Sequence, residues 1–205
     1  MPPLGPSELG KLFKTQPSFF EDVAISEVIP ECIIRLDNLR GNQRNSDLVV
    51  VGFDLSGPVL VTVEAKADEQ FGLVIGEYVQ RARDKNPRSM VPKRVERLRE
   101  LVFPGGLKDE EFNQLRYQLL HAVAGTLMEA RRRKANVAVF VVHEFLSADT
   151  NEELVKRNTD DLRKFVAATS GDPVFIGRLA GPFSFPGLNS HEIILFVGKI
   201  TTKIS

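Results

Sequence analysis

The sequence predicts an α/β fold with a mixed central β-sheet of about five or six strands and helices on both faces. Two apolar, β-branched runs at 48–53 and 59–63 are separated by LSGP (55–58), which is typical of a hairpin turn. A long helical pattern follows at 110–134. The nearly continuous apolar run ANVAVFVV (135–142) comes next, as expected for a buried parallel strand.

Length and composition indicate one domain in a reducing compartment. Residues 1–17 contain four prolines and are expected to form a flexible N-terminal segment, with 18–205 as a single domain. A single cysteine, Cys32, excludes an internal disulfide. The chain starts MPPLGPSEL, without a signal peptide pattern, and has no apolar run of transmembrane length. These observations predict a cytoplasmic protein that does not enter a membrane.

The region before the hairpin is expected to hold a short helix over 8–14, a second helix and one short strand. Ser18 followed by Glu21 fits a capping box for a helix over 19–28. Residues 32–36 are predicted to form a first strand, and 37–45 a polar loop.

The hairpin predicts a shared face for two acids and a lysine. A loop of two or four residues within LSGP would place Asp47 opposite Lys66 and Val49 opposite Glu64. Because residues two apart in a strand share a face, Asp47, Glu64 and Lys66 should converge at the open end. A three-residue loop would instead send Asp47 to the other face.

These three residue types together suit phosphodiester chemistry. Two neighbouring carboxylates either raise the pKa of one of them or recruit a cation. Mg²⁺ takes oxygen ligands, and a nearby lysine can orient a water molecule or stabilise charge on a phosphate. The alternative is a solvated strand end, since about one Glu-x-Lys triplet is expected by chance in a chain of this length.

The second half of the chain continues the α/β pattern. Helices are predicted over four segments: 73–83, 94–103, 110–134 and 150–169. Late strands are predicted at 173–177 and 192–200. Between them, the loop 181–187 contains phenylalanines that would form either a partner surface or a lid over the core.

Asp47, followed by Glu64-Ala65-Lys66 on the next strand, resembles the motif of the PD-(D/E)XK nuclease superfamily, with Ser46 where the motif name has proline. Longer blocks resemble a bacterial family of unknown function within that superfamily. They are VEAKADEQFG (63–72), KRVERLREL (93–101), RYQLLHAVAGTLMEAR (116–131) and VFVVHEF (139–145).

The resemblance implies a restriction-endonuclease-like core and a nuclease dependent on Mg²⁺ or Mn²⁺ that acts on DNA. Asp47 and Glu64 would hold the metal and Lys66 would help to activate water. On the helix after the hairpin, the resemblance adds Gln118 to the catalytic residues, with Arg116 and His121 as further candidates. For His121 the alternative is a packing role. Members that cut both strands often form homodimers, so a homodimer is also implied.

A basic segment follows the hairpin. Residues 81–99 hold eight lysines and arginines against two acids, in a chain whose formal net charge is zero. A phosphate backbone is the partner that such a segment suits. The segment supplies Arg94 and Arg97 as nucleic-acid-binding candidates, and Arg116 joins them by resemblance. The alternative is a solvated helical surface.

Two other functional classes stay open at this point. The fold can serve as a catalytically idle module that binds nucleic acid or a protein partner, and the neutral net charge is compatible with that reading. A small-molecule enzyme with Lys66 as a base is the third, although no nucleotide-cradling glycine loop supports it.

Overall fold

The computed structural model describes residues 6–20, 22–38, 43–55, 57–170, 176–186 and 192–204. Within these residues six strands form one mixed sheet in the order β1-β2-β3-β4-β6-β5. The strands are β1 (Ala24–Ile34), β2 (Arg44–Asp54), β3 (Gly57–Lys66), β4 (Val137–Leu146), β5 (Leu179–Pro186) and β6 (Glu192–Lys203). The helices are α1 (Pro6–Phe13), α2 (Ile75–Lys85), α3 (Val91–Val102), α4 (Asp109–Asn113), α5 (Tyr117–Arg133) and α6 (Glu152–Ser170). The α/β class with a mixed sheet flanked by helices is confirmed.

The centre of the sheet is parallel and its margins are antiparallel. β4 pairs in parallel with β3 on one side and with β6 on the other. The remaining neighbours pair antiparallel. β4 is buried from Val137 to Phe145, because both its edges are paired and both its faces are covered. This strand is the apolar run that the sequence placed at the centre of the sheet.

The two faces of the sheet carry separate cores, as side-chain alternation requires. One face packs against α2 to α6, and the other packs against α1. Val49 and Leu60 belong to the first core, whereas Val50 and Val61 belong to the second. Asp47, Glu64 and Lys66 have the parity of the first core, so they lie on the face that α5 covers.

The β2–β3 hairpin turns one residue earlier than predicted. Asp54 pairs with Gly57, so the turn lies between these two residues, and Val49 pairs with Thr62 rather than with Glu64. The predicted register is therefore wrong by two residues. A register shift of two residues keeps every side chain on its predicted face, so the two acids still lie on the same face.

The predicted helix over 19–28 is wrong. Residues 17–19 form a single 3-10 turn, and β1 begins at Ala24 and pairs with β2 along its length. The capping-box pattern was overridden because β1 completes the ladder of β2 on its outer edge. Glu21, which the pattern required, lies outside the described residues.

The predicted loop 181–187 is largely strand. β5 pairs antiparallel with β6, and Phe183 and Phe185 point into the first core and are buried. They are therefore neither an exposed partner surface nor a lid. β5 is an outer strand of the sheet, where prolines such as Pro182 do not break the ladder. Of the strand predicted at 173–177, residues 173–175 lie outside the described part, and Ile176 forms an isolated bridge to Lys199.

The predicted helix over 110–134 is divided. It splits into α4 and α5 around residues 114–116, where Arg116 is extended and forms an isolated bridge with Val74. Ile75 N donates to Leu115 O over 2.8 Å, and Tyr117 N donates to Leu73 O over 3.1 Å. This short bridge ties the start of α5 to the start of α2.

Part of the segment expected to be flexible is packed. Residues 6–13 form α1, whose Leu9 and Leu12 are buried in the second core. In the described part of the chain, the helices are too short or too polar to span a membrane.

Candidate active site

A cleft of about 910 Å³ opens at the carboxyl end of β3. Its lining includes Asp47 from β2, Glu64 and Lys66 from β3, and Gln118 from α5. The structure therefore brings together the four side chains that the sequence and the resemblance named as catalytic, whereas Arg116 and His121 do not line this cleft. The antiparallel pairing of β2 with β3 places Asp47 at the cleft, and α5 places Gln118 there.

Glu64 is the centre of the site and is only 4 % exposed. Its Oε2 forms an ion pair with Arg44, and its Oε1 accepts a hydrogen bond from Gln118 Nε2. Lys66 Nζ lies 3.1 Å from the same Oε1. Three donors thus hold one buried carboxylate in a fixed orientation, which satisfies the charge that burial would otherwise penalise.

Asp47 is half-buried next to Glu64. Its Oδ2 accepts a hydrogen bond from the backbone N–H of Ala65 over 2.6 Å. Burial raises the pKa of Asp47 above its ordinary value, and the charge of Glu64 raises it further, against the opposing effects of the Ala65 hydrogen bond and Arg44. Burial is thus the main cause of the shift, and the neighbouring carboxylate adds to it.

Lys66 is held between two acids. It is 2 % exposed, and its Nζ lies 3.0 Å from Glu69 Oε1 as well as near Glu64. The same ammonium group lies 5.5 Å from the centre of the Phe71 ring. The loop after β3 therefore encloses Lys66 from both sides and leaves it at the wall of the cleft.

A buried polar network supports that loop from below. Asn158 Nδ2 of α6 donates to Glu69 O over 2.9 Å and to Glu144 Oε1 over 3.0 Å. Glu144, which pairs with Lys66 across β3 and β4, forms an ion pair of 2.7 Å with Lys199. These contacts tie the loop to the centre of the sheet.

Sequence reasoning missed Arg44. Its surroundings were predicted to be a polar loop, and strict alternation from Asp47 would place residue 44 on the opposite face. In the structure Arg44 begins β2 and lies against α5, so that a Cβ at Gly125 would approach Arg44 Cγ to 3.1 Å. Alternation is broken next to Glu31, which lies across from Asp47 and has a left-handed φ of 49°. The isolated glycine in α5 was the only signal of a close approach.

The three arginines predicted to bind nucleic acid are not equivalent. Arg94 does not lie on the surface: its guanidinium forms hydrogen bonds of 2.8 and 3.0 Å with Asp37, and both side chains are buried. Arg116 is half-buried, pairs with Asp161 over 2.8 Å and also donates to Gly72 O, so it braces the loop after β3. Arg97 is exposed on α3.

His121 lies one turn after Gln118 on α5 and stacks on Tyr117, with 5.1 Å between ring centres. Burial lowers the pKa of His121 to about 4, with Arg44 and Arg94 lowering it further and Asp37 opposing them. The imidazole is therefore neutral at pH 7 and packs against Tyr117.

Acid should consequently destabilise the protein through His121. The pKa of His121 is lower in the folded state than in the unfolded chain. The contribution of the neutral imidazole to the free energy of unfolding is therefore complete above the ordinary pKa of 6.5, and it is lost as the pH falls through about 4. Wild type should lose on the order of 2–3 kcal/mol more than His121→Phe between these pH values. Urea unfolding across that range measures the difference. Parallel curves for the two proteins would contradict the prediction.

Comparison with known proteins gives one family. Residues 4–204 match the family described as "Domain of unknown function (DUF6946)". No curated protein and no solved structure matches the chain. Because the match covers nearly the whole chain, the protein belongs to the DUF6946 family.

Proposed function

We propose that this protein is a metal-dependent nuclease that hydrolyses phosphodiester bonds, with DNA as its substrate. The observation that carries the proposal is the convergence of Asp47, Glu64 and Lys66 on one cleft, with Gln118 held against Glu64. That arrangement, with Glu64-Ala65-Lys66 at the end of a strand, also supports a relationship to the PD-(D/E)XK superfamily. The cytoplasm is the proposed location.

The residues present fit a divalent cation with few protein ligands. In the described part of the chain, no group of three or more His, Cys, Asp or Glu side chains is placed to hold a metal. Mg²⁺ commonly takes one or two carboxylates and completes its coordination with water and phosphate oxygens. Asp47 and Glu64 supply such a pair. Burial, and to a smaller extent the charge of Glu64, raise the pKa of Asp47, and a cation between the two carboxylates would favour its ionised form. When bound, the ion would polarise the phosphate and lower the pKa of a water molecule.

The protein side chains then have separate roles. Asp47 and Glu64 hold the cation at the carboxyl end of the hairpin. Gln118 fixes the orientation of Glu64 from α5. Lys66, with its ammonium group at the cleft wall, stabilises negative charge on the phosphate and orients water.

Nucleic acid is the substrate class that the surface charge favours. The α2–α3 region carries a set of exposed cationic side chains, namely Arg81, Arg83, Lys85, Arg88, Lys93 and Arg97. Electrostatic contacts of this kind bind the phosphate backbone without reading its sequence. Arg97 therefore stays in the proposal as a phosphate contact. Arg94 is left out because it is buried against Asp37.

A specific observation favours a second candidate, a binding module without catalysis. Arg44 and Lys66 balance the charge of Glu64, and Gln118 donates a hydrogen bond to it, so Glu64 is paired without a metal ion. Calorimetric titration with Mn²⁺ separates the two candidates. A nuclease binds the ion through Asp47 and Glu64, whereas a module binds nucleic acid equally well in a chelator.

The catalytic proposal is tested by cleavage of labelled single-stranded and double-stranded DNA and of RNA. Wild type should cleave with Mg²⁺ or Mn²⁺ and stop when EDTA is added. Lys66→Met should reduce the rate about 100-fold, because the charge facing the phosphate is lost. Lys156→Met, at an exposed position on α6, is the matched control and should cleave at the wild-type rate. Cleavage by Glu64→Ala at an unchanged rate would refute the catalytic assignment.

A further inference from the structure

Arg44 occupies a position that the fold has prepared for it. Its side chain lines the cleft, is 5 % exposed and reaches Glu64 Oε2. The stem passes α5 at Gly125, where any larger residue would crowd Arg44 Cγ. A guanidinium at this depth is placed by packing on two elements, β2 and α5, and is not a surface charge.

The ion pair between Arg44 and Glu64 conflicts with a cation on the same carboxylate. A divalent ion held by Asp47 and Glu64 would face the guanidinium across Glu64, and the two positive groups would repel each other at short range in a poorly solvated site. Glu64 Oε1 is already shared by Lys66 and Gln118. Oε2 accepts a single donor and so has capacity left for a cation, and the guanidinium on that oxygen would then lie beside a second positive charge that weakens its pairing.

A displaced guanidinium needs another acceptor, because leaving it buried and unpaired is strongly unfavourable. Its five N–H groups form a fork that matches phosphate oxygens. The acceptor that arrives in the cleft with the cation is the phosphate of the substrate.

We infer that Arg44 exchanges partners during the reaction cycle. It holds Glu64 in the resting protein, and it binds a phosphate oxygen of the nucleic acid once a divalent cation has taken Glu64. This inference rests on the proposed function. It adds to it a phosphate-binding residue and a reason for the cation and the nucleic acid to bind together.

The first test is calorimetric titration with Mn²⁺ in the absence of nucleic acid. Arg44→Gln should bind Mn²⁺ at least tenfold more tightly than wild type, because Glu64 Oε2 is released and one positive charge is removed. Arg44→Lys, which keeps the charge but lacks the fork, should lie between the two and serves as the readout if Arg44→Gln does not fold. Lys156→Met, which removes an exposed lysine from α6, is the control and should titrate as wild type does.

The second test measures the salt dependence of oligonucleotide binding by fluorescence anisotropy, with Ca²⁺ or with EDTA. Losing one phosphate contact lowers the slope of log Kd against log salt concentration by about one. Arg44→Gln should show that reduction with Ca²⁺ and none with EDTA, because Arg44 contacts phosphate only after the ion has taken Glu64. Arg97→Gln should lower the slope equally in both conditions.

The outcomes separate this inference from the proposed function. If wild type binds Mn²⁺ and cleaves DNA while the folded Arg44 variants titrate as wild type, the partner exchange is refuted and the nuclease stands. Equal slopes for Arg44→Gln and wild type with Ca²⁺ refute the phosphate contact. If wild type neither binds Mn²⁺ nor cleaves any nucleic acid, the proposed function fails and the exchange fails with it.

Discussion

Asp47→Asn is expected to abolish cleavage while making the ion-free protein more stable. Asparagine can still accept the hydrogen bond from Ala65 N, so the local structure is kept. The carboxylate that would hold the cation is lost, and cleavage should fall by at least about 1000-fold, as for loss of a central electrostatic group. Removing the repulsion with Glu64 and the burial of a charge should raise the free energy of unfolding by about 1 kcal/mol.

The pH dependence of that gain follows from the pKa of Asp47. Because folding raises this pKa, ionisation of Asp47 reduces stability once the pH rises through the folded-state value. The advantage of Asp47→Asn should therefore be full at neutral pH and vanish as the pH falls below the ordinary carboxyl range. Urea unfolding in a chelator measures it, with the exposed Asp149→Asn as the matched control. A variant that is less stable than wild type at pH 7 would contradict the account of the site.

Lys199→Met should have the largest effect on stability. Lys199 is fully buried on β6, and its Nζ lies 2.7 Å from both Glu144 Oε2 and Thr159 Oγ1. Burial lowers the pKa of Lys199, while its contact with Glu144 opposes the shift. Methionine fills similar space but leaves Glu144 buried without its cation, so the loss should be about 3–5 kcal/mol.

The pair itself can be separated from the packing by a double variant. Lys199→Met combined with Glu144→Gln removes both charges and keeps an acceptor for Asn158, so it should recover much of the loss. Lys164→Met, exposed on α6, should change the free energy of unfolding by less than about 0.5 kcal/mol. A double variant as unstable as the sum of the two single variants would show that the charges are not coupled.

The sequence was sufficient to predict that the two acids and the lysine of the site lie together, because the face on which each side chain lies depends only on the alternation of side chains along β2 and β3. Asp47, Glu64 and Lys66 share a face whether the last pair of the hairpin is Asp54 with Gly57 or Leu55 with Pro58, so the error in the turn did not change the predicted cluster. Gln118 came from the resemblance, and the structure places it against Glu64. The buried strand β4 was evident because its apolar run is continuous.

Tertiary partners decided the features that the sequence did not predict. Arginine is usually a surface residue, so the sequence predicts Arg44 and Arg94 to be exposed. Both are buried in the structure because each forms an ion pair with an acid, Glu64 for Arg44 and Asp37 for Arg94. The helix predicted over 19–28 was wrong for a related reason. Local capping at Ser18 is worth about 1 kcal/mol, whereas pairing with β2 satisfies a whole row of backbone groups. Local patterns carry no information about either kind of partner.

The early hairpin turn has a practical use. Leu55 is 99 % exposed just after β2 and is eight residues from Asp47, a separation of about 27 Å at the rise of an extended strand. A fluorophore or a tether attached at Leu55→Cys, with Cys32→Ser to prevent double labelling, would hold the protein by the end remote from the cleft. Single molecules immobilised in this way would keep the opening clear for long polymers, so that individual turnovers could be followed.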